Sequence, residues 1–293
     1  MAELTGDGLM SDAWSAEGIQ DPTYRTKFVD ITDLIDEEWL GPYGGIAGKD
    51  ILEFGCGEGA MALGMALRKS AKRVVGIEVL DVYKHCLPIA GKQIGIDALP
   101  GNLELVKIAP GGALDRFGTF DFVYSWSVIE HVTQTMLPDM LGTIRDALKP
   151  GGLFFLQISP LYYSAFGSHM QPWIAQPWAH LSMQHDLYKN ALDNAPPTSE
   201  EVKAAWGVYI PQNADKATER AALWETYTTL NRLTAPQLCR LASDAGFEIL
   251  RDYRTTTDDI PVPRDLGEIY DHETLKTEQV VLLLRRPDEQ ASG

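Results

Sequence analysis

The chain has 293 residues, of which 45% are apolar, 9% aromatic and 23% charged. That is the balance of a globular protein of one large or two small domains, and it excludes a disordered or fibrous chain. Twenty-five basic residues against 41 acidic leave a formal charge of −16, which repels phosphate backbones and anionic lipid heads and argues against a nucleic-acid or membrane-surface partner. Cys56, Cys86 and Cys239 are too few and too scattered for a disulfide framework or a metal knuckle. No apolar run approaches the ~18 residues of a membrane span, and the acidic start, Met1 to Asp7, lacks the basic and apolar regions of a signal peptide. A reduced, soluble, cytoplasmic protein is expected.

Residues 1–46 read as an N-terminal cap with a short helix near Asp30 to Leu40, where Ile31, Leu34 and Ile35 recur at helical spacing. From residue 47, β-branched runs alternate with helical stretches. Strands are expected at Asp50–Phe54, Arg73–Glu78, Leu103–Ile108, Phe120–Ser125 and Gly152–Ile158. Helices follow the first strand to about Lys69 and the second to about Gly95. Another spans Thr133 to Leu148, with Leu137, Leu141, Ile144 and Leu148 on one face. Such repeating units mean right-handed crossovers and a parallel sheet covered on both faces.

The rhythm stops at Ser159-Pro160. Residues 161–233 are rich in aromatics, histidine and proline, with helices expected near 199–206 and 217–232. The pattern then resumes with a helix from Thr234, a candidate N-cap, to Ala245, stopped by Gly246. Strands at Phe247–Tyr253 and Gln279–Arg285 follow, joined without a convincing crossover helix and so candidates for antiparallel neighbours. The expected organisation is a cap (1–46), a binding core (47–160), an inserted lid (161–233) and the end of the sheet with a tail (234–293).

Glu53-Phe-Gly55-Cys56-Gly57-Glu-Gly59-Ala60 lies where the first strand meets its helix. Glycines two residues apart let the backbone turn tightly and approach a ligand, and the helix start offers free N–H groups. Glu78 ends the second strand, where an acid can bond both hydroxyls of a ribose. The spacing Gly55-x-Gly57-x-x-Ala60 also fits a nicotinamide-dinucleotide fingerprint. Glu53 separates the two readings: a carboxylate there repels a pyrophosphate and attracts an ammonium or sulfonium.

With these residues the chain resembles the class I S-adenosylmethionine-dependent methyltransferases. The glycine motif is similar to the family's motif I. The run Phe120 to Ser127 followed by Val128-Ile-Glu130-His131-Val132 looks like its fourth strand and EHV turn, and Leu148-Lys-Pro-Gly-Gly152 resembles its LKPGG turn. Ala245-Gly-Phe-Glu248 resembles the approach to its sixth strand. The resemblance implies a doubly wound, Rossmann-like α/β fold of seven strands, mostly parallel with an antiparallel last strand. It implies that Glu53, Gly55, Cys56, Gly57 and Gly59 hold the methionine end of S-adenosylmethionine and Glu78 the ribose. Ser125, Trp126 and Ser127 would line the cofactor near its methyl group. In place of the acid that many members carry after strand three stands Ile108-Ala-Pro-Gly-Gly112.

An insertion after strand five emerges where ligands bind in such folds, so 161–233 is expected to cover a small-molecule acceptor. Tyr162, Tyr163, Phe166, Trp173 and Trp178 supply apolar walls, and His169, His180 and His185 supply acid–base groups. Methyl transfer needs alignment first and a base only for a hydroxyl or protonated amine. His131, His169 and His180 are the candidate catalytic residues. A divalent ion on Glu130 and His131, completed by His169 or His180, is a weighed alternative, but the first acid of that pattern is replaced by Ser127; no metal is assigned. The competing functions are a nicotinamide-dependent oxidoreductase and a non-catalytic cofactor-binding subunit.

Overall fold

The computed structural model describes residues 18–199, 202–203, 206, 210 and 213–288. Its strands are β1 (Asp50–Phe54), β2 (Arg73–Glu78), β3 (Leu103–Lys107), β4 (Phe120–Trp126), β5 (Leu148–Ile158), β6 (Glu248–Thr256) and β7 (Thr277–Arg285). They form one sheet in the order β3-β2-β1-β4-β5-β7-β6. Pairing is parallel from β3 through β2 and β1 to β4, whereas β7 runs antiparallel to both β5 and β6. The expected seven-stranded doubly wound α/β sheet is therefore the observed one. Two compact units divide at Tyr124/Ser125.

In the first unit, the cap begins at Asp21, whose side chain caps the helix α1 (Pro22–Arg25) by accepting from Thr23 and Tyr24 N–H. Helical turns continue as wide, π-type turns over Thr26–Ile31 and Leu34–Trp39. The helical region thus starts earlier than the apolar spacing of Ile31, Leu34 and Ile35 suggested. Phe28 and Val29 pack on α2 (Ala60–Arg68), joined by Tyr24, Leu63 and Ala90 in one apolar cluster. The contact is close because residue 64 is glycine: a Cβ there would stand 2.4 Å from the Phe28 carbonyl oxygen. Arg68 fastens the same seam by donating to the Phe28 and Val29 carbonyls and to Thr32 Oγ1. The helix α3 (Cys86–Ile94) follows a single-turn 3-10 segment at Asp81–His85. At the start of the sheet Asp50 N–H donates to Asp121 at 2.9 Å.

In the second unit, α4 (Leu137–Ala147) buries Leu137, Met140, Leu141 and Ile144. β5 begins at Leu148, four residues before the expected Gly152, because Gly151 N–H and the Gly152 carbonyl both pair with Arg286 beyond β7. The LKPGG segment is therefore strand and not a preceding turn. The described part of 161–233 contains α5 (Ala179–Ser182), α6 (His185–Asn194) and α7 (Lys216–Thr229). The helix expected near 199–206 lies largely outside the described residues. α8 (Ala235–Asp244) has the expected Thr234 cap, strengthened by Gln237 into a reciprocal capping box, and Gly246 follows at φ +85°. Two short helices, α9 (Arg264–Gly267) and α10 (His272–Lys276), interrupt the connection from β6 to β7. At β6 the ladder slips between Ile249 and Arg251 and again between Thr255 and Thr256. Among the described residues no helix is long and apolar enough to cross a membrane.

Candidate active site

The glycine turn is held from beneath by β2. Gly55 and Cys56 N–H both donate to the Ile77 carbonyl, and Gly59 N–H closes on the Cys56 carbonyl. Gly55, Gly57 and Gly59 all have positive φ, between +51° and +79°, a region that L side chains avoid. A Cβ at Gly59 would strike Leu105 at 2.9 Å, whereas one at Gly57 would meet nothing within 4 Å. The outer side of the turn is thus open to a ligand and its inner side is packed. Cys56 turns its side chain inward and is 6% exposed, so its contribution to a ligand is its backbone.

Glu78 does more than end a strand. One carboxylate oxygen accepts from Gly57 N–H at 2.8 Å, and the other accepts from Val79 at 2.7 Å and Leu80 at 3.1 Å. A carboxylate has about four lone-pair sites, so most of this acid's capacity is spent on shaping the turn. It is both scaffold and candidate ribose ligand. Glu78→Gln, which puts an N–H₂ against one set of amide donors, is expected to weaken S-adenosylhomocysteine binding by about 1–3 kcal/mol, roughly 5- to 150-fold, and Glu78→Ala at least as much. Isothermal titration checks this, and an unchanged affinity would remove Glu78 from the site.

Glu53 lies in β1 in register with Gly76 and Tyr124. It is 3% exposed, and its Oε2 has no hydrogen-bond partner. Burial pushes its pKa up to about 8, against smaller opposing effects from Tyr124, the Ala62 amide and Lys27. The carboxyl of the ligand-free chain therefore keeps its proton at neutral pH. This corrects the charge argument drawn from sequence: Glu53 repels a pyrophosphate only weakly until a cation draws that proton off. An orphaned buried carboxyl oxygen beside an open glycine turn fits the ammonium end of S-adenosylmethionine.

In the second unit, Ser127 sits at φ +50°. Its N–H donates to the backbone and side-chain oxygens of Gln157, each at 3.0 Å, and its hydroxyl donates to the same side chain at 2.9 Å. Gln157 is fixed in turn by Gln279 at 2.9 Å. Ser125 is fully buried and Trp126 stacks on Phe155. The following turn, Ile129–His131, is clamped by Asn231, whose side-chain amide donates to the Ile129 and Val132 carbonyls. Glu130 is 3% exposed, and the backbone amides of Glu130 and Ser159 favour its charged form against that burial. Burial pushes its pKa up to about 8.

The three candidate catalytic histidines separate into a buried pair and one cavity residue. His131 and His169 meet edge-on with ring centroids 5.2 Å apart. His169 is 7% exposed at φ +62°, and its Nε2 has no partner. Burial lowers the pKa of His131 to about 4 and that of His169 to about 3. His180 instead lines a cavity of about 210 Å³ with Tyr162, Tyr163, Tyr227, Arg232 and Tyr270. Its Nε2 lies 2.7 Å from the Tyr162 carbonyl oxygen. A carbonyl only accepts, so Nε2 carries the proton and Nδ1 is left as the unprotonated nitrogen. Burial lowers its pKa to about 4. Among the described residues no three His, Cys, Asp or Glu side chains are grouped to hold a metal ion.

A family model described as a methyltransferase domain matches residues 25–252. The chain belongs to the methyltransferase-domain family. The expectation of a class I S-adenosylmethionine-dependent methyltransferase holds at the level of family and fold, and the match decides against the dinucleotide reading. Among curated relatives, the ubiquinone biosynthesis O-methyltransferase of Vibrio parahaemolyticus is 30% identical over 153 residues, covering 50% of this chain and 57% of that protein. The protein of the same name from Chromobacterium violaceum is 32% identical over 121 residues, covering 40% and 47%. The chain thus spans about half the length of the curated relatives it matches. Two solved structures share the fold at a TM-score of 0.51. One, the [4+2]-cyclase SpnF, is 17% identical and covers 89% of this methyltransferase-family chain and 82% of its own. The other, described as a sarcosine dimethylglycine methyltransferase of Galdieria sulphuraria, is 12% identical and covers 93% of each.

Arg232, Tyr227, Tyr270 and Gln157 are site residues that sequence reasoning missed. Tyr227 and Arg232 fall in the helix expected near 217–232, which in the structure ends at Thr229; Tyr270 stands in a connection with no periodic pattern, and Gln157 is one polar position inside an apolar strand.

Proposed function

We propose that this chain moves a methyl group from S-adenosylmethionine to a hydroxyl of a small molecule held by the lid cavity, with His180 as the base. The observation that carries the cofactor half is the glycine turn that Glu78 anchors, open above Gly57. Glu53, Gly55, Cys56, Gly57 and Gly59 are assigned to the methionine end and Glu78 to the ribose. Ser125, Trp126 and Ser127 are assigned to the lining near the methyl group. The cofactor supplies a methyl on a positively charged sulfur. The acceptor O–H gives its proton to His180 Nδ1 as the new O–C bond forms and the S–C bond breaks, which leaves S-adenosylhomocysteine. The neutral His180 and its bare Nδ1 support that role, and the O-methyltransferase names of the relatives favour oxygen as the acceptor atom. His131 and His169 pack on each other and are assigned no proton transfer. The net charge of −16 and the free Cys56, Cys86 and Cys239 support a small-molecule acceptor and a cytoplasmic location.

Titration of the purified protein with S-adenosylhomocysteine, with NAD in a parallel cell, tests the cofactor. Micromolar binding of the first and none of the second is the expected result, and the reverse would overturn the assignment. The same titration reads Glu53. A carboxyl with a pKa of about 8 loses its proton when an ammonium binds beside it, so binding at pH 7 should release a proton and tighten as pH rises toward 8. Repeating it in two buffers of different ionisation enthalpy checks this; equal enthalpies would take Glu53 off the methionine end.

A further inference from the structure

The lid cavity has one charged feature that the methyl-transfer reading does not use. Arg232 leans its guanidinium over the Tyr162 ring, 5.0 Å from the centroid, and makes no ion pair among the described residues. In a chain of net charge −16, an arginine without a carboxylate partner at the mouth of a cavity stands out. Among the described residues the cavity wall holds no acid: its titratable members besides Arg232 are four tyrosines and two histidines. Asp186 lies 3.8 Å from His185 Nδ1 and is fully exposed to solvent. His180 is neutral near pH 7, so the guanidinium supplies the charge of the wall.

The remaining walls are aromatic. Tyr162 stacks with Tyr227 at an interplanar angle of 16°, and Tyr163 packs on Tyr270 with centroids 5.4 Å apart. A cavity of about 150 Å³ admits benzene, and this one, at about 210 Å³, has room for a ring and a substituent. A planar guanidinium whose face is occupied by Tyr162 still presents its edge, and that two-pronged edge matches a carboxylate. One guanidinium with no second cation suits a monoanion better than a phosphate dianion.

We propose that the acceptor is an aromatic monocarboxylate, with its ring against the tyrosines and its carboxylate on Arg232. This deepens the methyltransferase reading and rests on it. Arg232 selects the substrate, and His180 faces the group that is methylated.

The test uses benzoate and its neutral isostere benzamide as probes, with binding to the full chain followed by ligand-observed NMR, and phenyl phosphate as a third probe. Benzoate should bind at least tenfold more tightly than benzamide. Arg232→Gln should erase that difference, and Arg232→Lys should restore only part of it because the two-pronged contact is lost. Arg232 is exposed, so both variants should unfold at the temperature of the parent. Equal binding of benzoate and benzamide, or a preference for benzoate that survives Arg232→Gln, would overturn the proposal. Tighter binding of phenyl phosphate than of benzoate would overturn the monoanion assignment. These arms run without a methyl donor, so their failure with intact S-adenosylhomocysteine binding sinks this inference alone. Benzoate binding without S-adenosylhomocysteine binding would sink the methyltransferase reading instead.

Discussion

Replacing His180 with alanine is expected to lower turnover by about 10²- to 10⁴-fold, the usual loss when a positioned base is removed, while S-adenosylhomocysteine affinity stays the same. The direction follows from the tautomer. The 2.7 Å contact with the Tyr162 carbonyl fixes the proton on Nε2, so the nitrogen available for proton transfer is already bare. His180→Gln separates the base from its scaffold, because the side-chain amide can still donate to that carbonyl but accepts no proton. It should be as inactive as the alanine variant and more stable. The pH profile carries a second reading. The base must be unprotonated, and burial has lowered its pKa to about 4, so the acid limb of the rate should lie near pH 4, well below the ordinary histidine range. An acid limb at pH 6 to 7 that persists in His180→Ala would mean that another histidine, in a wetter environment, does the work. Full activity in both variants would remove His180 from the chemistry.

The second large effect is expected at Gly167→Ala. A methyl group there would sit 2.2 Å from the carbonyl oxygens of both Leu161 and Tyr162 and 2.4 Å from the Tyr162 carbonyl carbon. These are backbone atoms, which cannot swing aside as a side-chain tip can. Overpacking in a well-ordered interior costs about 1–3 kcal/mol and sometimes more, and three backbone collisions place this variant at the upper end. The Tyr162 carbonyl that must give way is the group that orients His180. Gly167→Ala should therefore lower both the unfolding midpoint in urea and the turnover of the protein that remains folded. Loss of stability with normal turnover per folded molecule would show that the loop absorbs the methyl without moving His180. No loss of either would contradict the close approach itself.

Much of this architecture was readable before any coordinates. β1 and β2 coincide with their expected limits because apolar, β-branched runs buried on both faces are bounded by glycine and charge. The Thr234 cap and the stop at Gly246 were legible for the same local reason. Other features depend on contacts that no spacing records. The three amides gathered by Glu78 come from Gly57, Val79 and Leu80, and only the fold brings the first to the others. The proton on Glu53 is a product of burial, which a formal charge count leaves out. Tyr162, Tyr227 and Tyr270 meet across more than a hundred residues of chain. His131, His169 and His180 looked equivalent in sequence; what separates them is that a cavity opens on one and the other two close on each other.

The two slips in the β6 ladder have a consequence for how the protein behaves at high concentration. β6 is the outermost strand on its side of the sheet, with a row of backbone groups that a strand from another molecule could join. A bulge bends and twists such a row, so a straight incoming strand cannot follow it. Charge adds to the obstruction: Arg254 bridges Asp252 and Glu273, and Glu248 pairs with Arg285. An added strand would have to disrupt those pairs without the help of a continuous ladder. The β6 edge of the sheet is thereby made a poor template for a further strand by two misplaced residues.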